Sequence, residues 1–414
     1  MNIETYLDLY RFFAARQDVK GYLDCLKKVH EKLQTIIREK AKIKIAFQIA
    51  CITEWIGDEL VQYFANDDRF DVMVVLTWQQ NTDREYELGL MEHHFRHSGL
   101  PYVIADGRIK PRDFDIIFYT SPYMFELDHW LDRDIFLSSL VCYVPYGYCL
   151  ARIHTTQFNQ FAHCICWKKY ALTKAEIPMA RRYCAIGDYG MVYSGYPKLD
   201  GFLERGIEDT VHWKIAGDPQ RVKKIIYAPH HSINEIPYHS TFPENYKFLY
   251  EYAASHPETT SWVFKPHPLL RISCVRNGIF SSVEEFDAYA RAWDDLPNGK
   301  TVTGDYLSWF ASSDAMIFDS LSFMAEYLFV HKPSLYLTRG ETQFNEFGDI
   351  IFHTLYQAPG NDYDQMAAFI EHGIDADPKK VERDIIFEAL LDYATEHGMS
   401  ATKFIYEDIT RSLL

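Results

Sequence analysis

Three short segments concentrate groups able to handle a negatively charged substrate. Ala228-Pro-His-His-Ser232 supplies His230 and His231. Lys265-Pro-His-Pro268 supplies Lys265 and His267, with Arg271 close behind. Asp319-Ser-Leu-Ser322 supplies the hydroxyls of Ser320 and Ser322 and opens a helical pattern that carries Glu326 one turn in. Imidazole, ammonium, guanidinium and hydroxyl donors, joined by the free N–H groups of a helix start, suit a diphosphate. A carboxylate at Glu326 suits ribose hydroxyls. The expected ligand is therefore a nucleotide diphosphate donor, with His230, His231, Lys265, His267, Arg271, Ser320 and Ser322 at its phosphates.

Each segment follows a short apolar run. Lys224–Ala228, Ser261–Phe264 and Ala315–Phe318 read as strands, as does Ser334–Leu337, and helical periods fall at 245–255, 306–312 and 321–329. The same alternation occurs earlier, with strands at 43–50, 70–76, 102–105, 115–119 and 141–144 and helices at 55–64 and 83–97. Strands alternating with helices predict α/β lobes with doubly wound parallel sheets. Two such lobes face one another across a cleft, and ligands bind beyond the carboxyl ends of the strands. The expected organisation is a helical segment over 1–40, a Rossmann-like acceptor lobe over 41–205 and a Rossmann-like nucleotide-donor lobe over 220–355. Helices over 356–414 could cross back to the first lobe. Gly195 and Pro197 punctuate the end of the first lobe.

Composition narrows the partners. The 414 residues carry 42 Lys+Arg against 58 Asp+Glu, a formal net charge of -16, which argues against a general nucleic-acid binder. The 28 Phe and 29 Tyr argue against long disorder. Between Arg11 and Lys44, however, ten Lys/Arg stand against four Asp/Glu, and apolar residues recur at Tyr22, Leu26, Val29, Leu33 and Ile36. Such a basic amphipathic helix either lies on an anionic membrane surface or packs on the domain behind it. The first residues lack the pattern of a signal peptide and no apolar run is long enough to span a membrane. The eight cysteines form no CxxC pair. The expectation is a cytoplasmic protein with reduced thiols, peripheral on the inner face of the membrane if the basic helix attaches there.

The order of five motifs is more specific than any one of them. Ser-Gly-Tyr-Pro-Lys-Leu-Asp (194–200), the strand ending Ala-Pro (228–229), Lys-Pro-His-Pro (265–268), the run 312–326 and Lys-Pro (332–333) before a strand follow in sequence. Together they resemble the CDP-glycerol glycerophosphotransferase family, the teichoic acid polymerases and primases, which have a GT-B fold. The resemblance is good over 193–337 and holds only in outline over the first lobe. It implies transfer of glycerol phosphate, or a related alditol phosphate, from a CDP-activated donor to a hydroxyl of a polymer or lipid-linked acceptor. It implies no cofactor and no metal. His267 matches the family histidine at the donor phosphates, Ser322 a serine of the Asp-x-Ser-Ser stretch, and Asp319 and Glu326 its acidic positions beside the nucleotide.

The chain also departs from that pattern. Where the family carries Trp-His-Gly-Thr, this chain reads Val144-Pro-Tyr-Gly-Tyr148, so Tyr146 and Gly147 stand at the acceptor side in place of a histidine base. A tyrosine with a pKa near 10 is a poor base at neutral pH. His154 is the nearby substitute. The family's Ala-Pro-Thr-Trp-Arg becomes Ala-Pro-His-His-Ser, and Leu321 replaces the first serine of the usual pair. A nucleotide-sugar glycosyltransferase or epimerase is the alternative, and a non-catalytic binding protein of the same fold is a second. Asp113/Asp115, Asp132/Asp134 and Asp375/Asp377 have DxD spacing, and His93 and His97 are one helical turn apart, but an acidic chain and a solvated helix face account for them without a metal.

Overall fold

The computed structural model describes residues 19–79, 83–124, 127, 129–204, 211–234, 238–304, 306–340 and 343–413. The reading of residues 1–18 lies outside that set. The chain divides into two compact units. Unit 1 comprises 1–147, 153–200 and 390–414, and unit 2 comprises 148–152 and 201–389.

Unit 1 is built on seven parallel strands. They are β1 (Ile43–Ile49), β2 (Phe70–Leu76), β3 (Tyr102–Ile104), β4 (Ile116–Tyr119), β5 (Leu140–Tyr143), β6 (Lys168–Ala171) and β7 (Met191–Tyr193), in the order 3-2-1-4-5-6-7. Apolar side chains leave both faces of this sheet, which is why most of its strands, β6 excepted, read as near-continuous hydrophobic runs. Ile45, Phe47, Val74, Ile116 and Phe118 line one core, and Ala46, Val75, Ile117, Tyr119 and Val141 line the other.

The basic helix Val19–Arg38 places Tyr22, Leu26, Leu33 and Ile37 in these cores. Most of its apolar face is therefore spent on packing; Lys20, Lys27, Lys28 and Lys32 are exposed, as is Ile36. Of the two readings, packing on the domain behind it is the one seen in the fold. No described helix is long and apolar enough to cross a membrane.

The C-terminal helix Ala401–Leu413 returns to unit 1, burying Ile405, Ile409 and Leu413 at four-residue spacing. The 194–200 motif explains the return. Gly195 has a φ of +83°, and a Cβ there would meet the Tyr393 ring at 2.0 Å. Asp200 accepts from the Tyr393 hydroxyl at 2.8 Å, from the Ala401 N–H at 2.9 Å, and from the Thr402 N–H and hydroxyl at 2.9 and 2.6 Å. Its carboxylate thus caps the last helix, a clasp between segments nearly two hundred residues apart.

Unit 2 is a six-stranded parallel sheet. Its strands are β8 (Lys223–Ala228), β9 (Thr260–Phe264), β10 (Gly299–Thr301), β11 (Ala315–Phe318), β12 (Ser334–Thr338) and β13 (Tyr356–Pro359), in the order 10-9-8-11-12-13. An aromatic-rich core of Tyr227, Phe242, Phe264, Trp262 and Trp293 packs on it. The strand order reverses direction at β8/β11, as it does at β1/β4 in unit 1. Such switch points are where open α/β sheets leave a crevice for a ligand. The segment 148–152 joins unit 2 through Asn345, whose backbone N–H donates to Leu150 O at 2.9 Å and whose side chain donates to Cys149 O at 2.7 Å.

Candidate active site in unit 2

The three segments singled out by sequence follow β8, β9 and β11, so the sheet itself brings them to its switch point. His230 and His231 leave β8, and His267 leaves β9. The ring centroids of His230 and His267 lie 5.0 Å apart, those of His231 and His267 4.2 Å, and those of His230 and His231 4.3 Å. One ring nitrogen from each lies within 4.8 Å of the other two. All three rings are half-buried.

Asp319, directly after β11, builds this arrangement. One carboxylate oxygen accepts from the His230 N–H, and the other accepts from the N–H and hydroxyl of Thr241. The Asp319 carboxylate thereby ties the β8 loop and the start of helix Phe242–Ser255 to β11. Burial pushes its pKa up to about 7 against the pull of these donors. Asp319 thus positions the loops that follow β8 and β11. Ser320 also ties them: its hydroxyl donates to Ala228 O at 3.1 Å and links β11 to β8.

The remaining predicted groups sort by what already holds them. Lys265 donates to Gly304 O at 3.2 Å and lies 5.1 Å from the centroid of the Tyr306 ring. Tyr306 donates to the buried Glu326 carboxylate. Lys265, Tyr306 and Glu326 thus form one polar group behind β9 and β11. Arg271 is drawn away to Asp287 by bonds of 2.6 and 2.7 Å. Ser322 begins a helix of only five residues, Ser322–Glu326, so the helix field expected there is that of a single turn.

In unit 1, Tyr146 is exposed at 37%, and its backbone is pinned between Thr120 O and the Tyr196 hydroxyl. Gly147 is the last residue of its segment of unit 1. His154 stacks on Tyr183, with centroids 3.7 Å apart.

Three histidines this close could hold either a cation or an anion, and the protons decide. The Leu269 N–H donates to His267 Nδ1 at 3.1 Å, and the Ser232 N–H donates to His230 Nδ1 at 3.2 Å. A nitrogen that accepts cannot carry the proton, so in the neutral ring the hydrogen sits on Nε2. A histidine holding zinc through Nε2 needs the opposite tautomer, with Nδ1–H donating outward. In that tautomer His267 and His230 carry N–H donors, which suit an anion; the Ser232 hydroxyl also lies 2.8 Å from His230 Nδ1. Among the described residues this is the one cluster of metal-ligand type. The DxD pairs are engaged elsewhere, with Asp115 on Lys40, Asp132 on Arg112, Asp375 on Lys223 and Asp377 on Arg383. On the 83–97 helix, His97 Nδ1 lies 2.6 Å from His93 O.

Burial is the first cause that lowers the pKa of both His230 and His267, followed for each by a neighbouring histidine. Both rings are neutral in the free protein at pH 7. Because a backbone N–H already occupies Nδ1 of each ring, a diphosphate would meet the rings as neutral Nε2–H donors, and binding would place no proton on them. Affinity for a nucleotide diphosphate ester should therefore change little between pH 8 and 6. Calorimetry in buffers of different ionisation enthalpy checks this, since the binding enthalpy should not vary with the buffer. The ligand-free fold does depend on pH: its stability is present above the ordinary histidine pKa of about 6.5 and declines below it, because the unfolded chain binds protons that the folded rings refuse.

With this geometry in place, the fold can be compared with known proteins. No family model matches the chain, and no curated protein does. Solved structures do. A variant of the wall teichoic acid polymerase TagF superposes with a TM-score of 0.57 at 11% identity, covering 100% of this chain and 98% of that one. The UDP complex of MnaA from S. aureus gives 0.56 at 14% identity, covering 90% and 98%. UDP-GlcNAc 2-epimerase from Neisseria meningitidis, bound to UDP-GlcNAc, gives 0.54 at 12%, covering 89% and 100%. The chain has a GT-B-like fold. At these identities the likeness concerns fold alone.

Proposed function

We propose that unit 2 binds a nucleotide diphosphate donor at the His230/His231/His267 cluster. The protein then transfers a glycerol-phosphate or related alditol-phosphate group from a CDP-activated donor to a hydroxyl acceptor of a cell-surface polymer or lipid. The observation that carries this reading is the tautomer: backbone N–H groups hold His230 and His267 as Nε2–H donors at a sheet switch point. Transfer requires an acceptor oxygen to attack the β-phosphorus while CMP leaves, and fixed N–H donors stabilise the charge that grows on the diphosphate. Lys265 adds a fixed positive charge behind the rings, and Glu326, paired with Tyr306, is the carboxylate for the ribose. Tyr146, Gly147 and His154 of unit 1 serve the acceptor. Of the two side chains, His154 is the one with a ring nitrogen able to accept a proton.

A nucleotide-sugar glycosyltransferase or epimerase is the second reading, favoured by the UDP-bound structures of similar fold. One assay separates them. The purified protein is incubated with CDP-glycerol or with UDP-GlcNAc, with and without a polyol-phosphate acceptor, and products are resolved by mass spectrometry. The first reading predicts CMP released only when acceptor is present. UDP release or an epimerised sugar supports the second, and unchanged donors in every tube contradict both. Attachment to an anionic membrane would draw on the outward Lys20, Lys27, Lys28 and Lys32 and should be lost at high salt.

A further inference from the structure

The motif Ser194-Gly-Tyr-Pro-Lys-Leu-Asp200 does more than cap the last helix. Ser194 and Gly195 follow β7, and their N–H groups both donate to Ala171 O at the end of β6, at 3.0 and 3.2 Å. The next residue, Tyr196, is fully buried. Its backbone is extended, with a φ of -113° and a ψ of 105°, which is the region that a following proline, here Pro197, imposes. The Tyr196 carbonyl accepts from the Leu199 N–H at 3.0 Å and from the Tyr393 hydroxyl at 2.9 Å. The main chain of Tyr196 is thus held by β6, by its own turn and by the C-terminal segment.

The Tyr196 hydroxyl reaches fifty residues back along the chain and donates to Tyr146 O. On its other side the Tyr146 N–H donates to Thr120 O at 3.1 Å, continuing the run in which the Val144 N–H donates to Tyr119 O at 2.9 Å. Both peptide groups that flank Tyr146 are therefore held, one by the end of β4 and one by Tyr196, while the Tyr146 side chain is exposed. A backbone fixed on both sides sets the direction in which an exposed side chain leaves it.

We infer that Tyr196 is a positioning residue for the acceptor side: through its hydrogen bond to Tyr146 O, it sets the place and direction of the Tyr146 phenol. The inference rests on the reading of Tyr146 as an acceptor residue. A phenol offers one hydrogen-bond donor and an acceptor oxygen, which suits it to orienting a hydroxyl of a polyol acceptor. Orientation matters greatly there, since a misplacement of about 1 Å can cost about 100-fold in rate. A buried phenol also needs a partner for its hydrogen on grounds of stability alone. The test must therefore separate support of the fold from positioning of Tyr146.

Tyr196→Phe removes the hydroxyl and keeps the buried ring. It is compared with wild type, Tyr146→Ala and the double variant, each as the full chain. With CDP-glycerol and a polyol-phosphate acceptor, Tyr196→Phe should lower kcat/KM for the acceptor about tenfold. Donor affinity, measured by calorimetry, should stay within about twofold of wild type. In the Tyr146→Ala background the same change should cost less than about twofold, because the side chain it positions is gone. An equal loss in both backgrounds overturns the inference, since a hydroxyl that only supports the fold acts whatever residue 146 is. Hydrogen exchange gives a readout that needs no turnover. The Tyr146 amide should exchange several-fold faster in Tyr196→Phe. A wild-type exchange rate there overturns the inference whether or not the protein transfers anything. Wild-type protein that leaves CDP-glycerol intact in the presence of acceptor overturns the underlying reading and the acceptor role of Tyr146 with it, while the exchange rate still decides whether Tyr196 holds that backbone.

Discussion

Replacing His267 by Ala should lower donor turnover by about 10²–10³-fold, the usual loss when one fixed donor to a developing charge is removed. The melting temperature should barely change. His267 is half-buried, and its Nδ1 only receives a hydrogen bond from the Leu269 N–H, a group that turns to water when the ring is gone. His267→Gln sharpens the result. A glutamine amide places an N–H near the position of imidazole Nε2 and should recover part of the lost rate. If the ring instead served as a general base or a metal ligand, Gln would be as poor as Ala. The decisive pair of numbers is therefore turnover for Gln against Ala, at equal folded fraction.

The second large effect falls on stability. Asp319→Ala leaves three buried donors without an acceptor: the His230 N–H, the Thr241 N–H and the Thr241 hydroxyl. Each such group costs about 1–3 kcal/mol, so a loss of about 3 kcal/mol or more is expected from chemical denaturation. Donor binding should fall with it, because the loop carrying His230 and His231 loses its anchor. Asp319→Asn should be milder, since the amide oxygen still accepts. The pH dependence separates the two forms of the site. A carboxyl raised from about 4 in the unfolded chain to about 7 in the fold contributes stability that is full below pH 4 and is lost as pH rises through 7. This contribution should vanish in Asp319→Asn. A wild-type denaturation profile in Asp319→Ala would show that the carboxylate does not hold the loops.

These two residues illustrate what a sequence discloses. His267 was legible because it follows an apolar strand, and strand ends are where α/β ligands sit. The role of Asp319 was not. Its partners, His230 and Thr241, lie about eighty residues away, and only the order 10-9-8-11 brings β11 beside β8. The same limit explains β6. Lys168-Lys-Tyr-Ala171 carries two lysines and does not read as a buried strand. It is one because Asp408 of the last helix meets Lys168 and because Lys169 donates to His163 O. The 194–200 motif, informative as a family resemblance, does structural work through Tyr393 and Thr402, which nothing local announces. Apolar strands with helices between them could be read at sight, whereas compensation of buried charge is a property of the folded whole.

The central claim is that the histidine cluster is a set of Nε2–H donors for a diphosphate. The most direct measurement is nitrogen NMR of selectively labelled histidine, first in the free protein and then during titration with CDP-glycerol. The account predicts protonated Nε2 and bare Nδ1 at His230 and His267 in the free protein. It further predicts that the donor shifts these Nε2 signals while Nδ1 stays bare. Protons found on Nδ1, together with Nε2 signals that respond to zinc and ignore the donor, would contradict it.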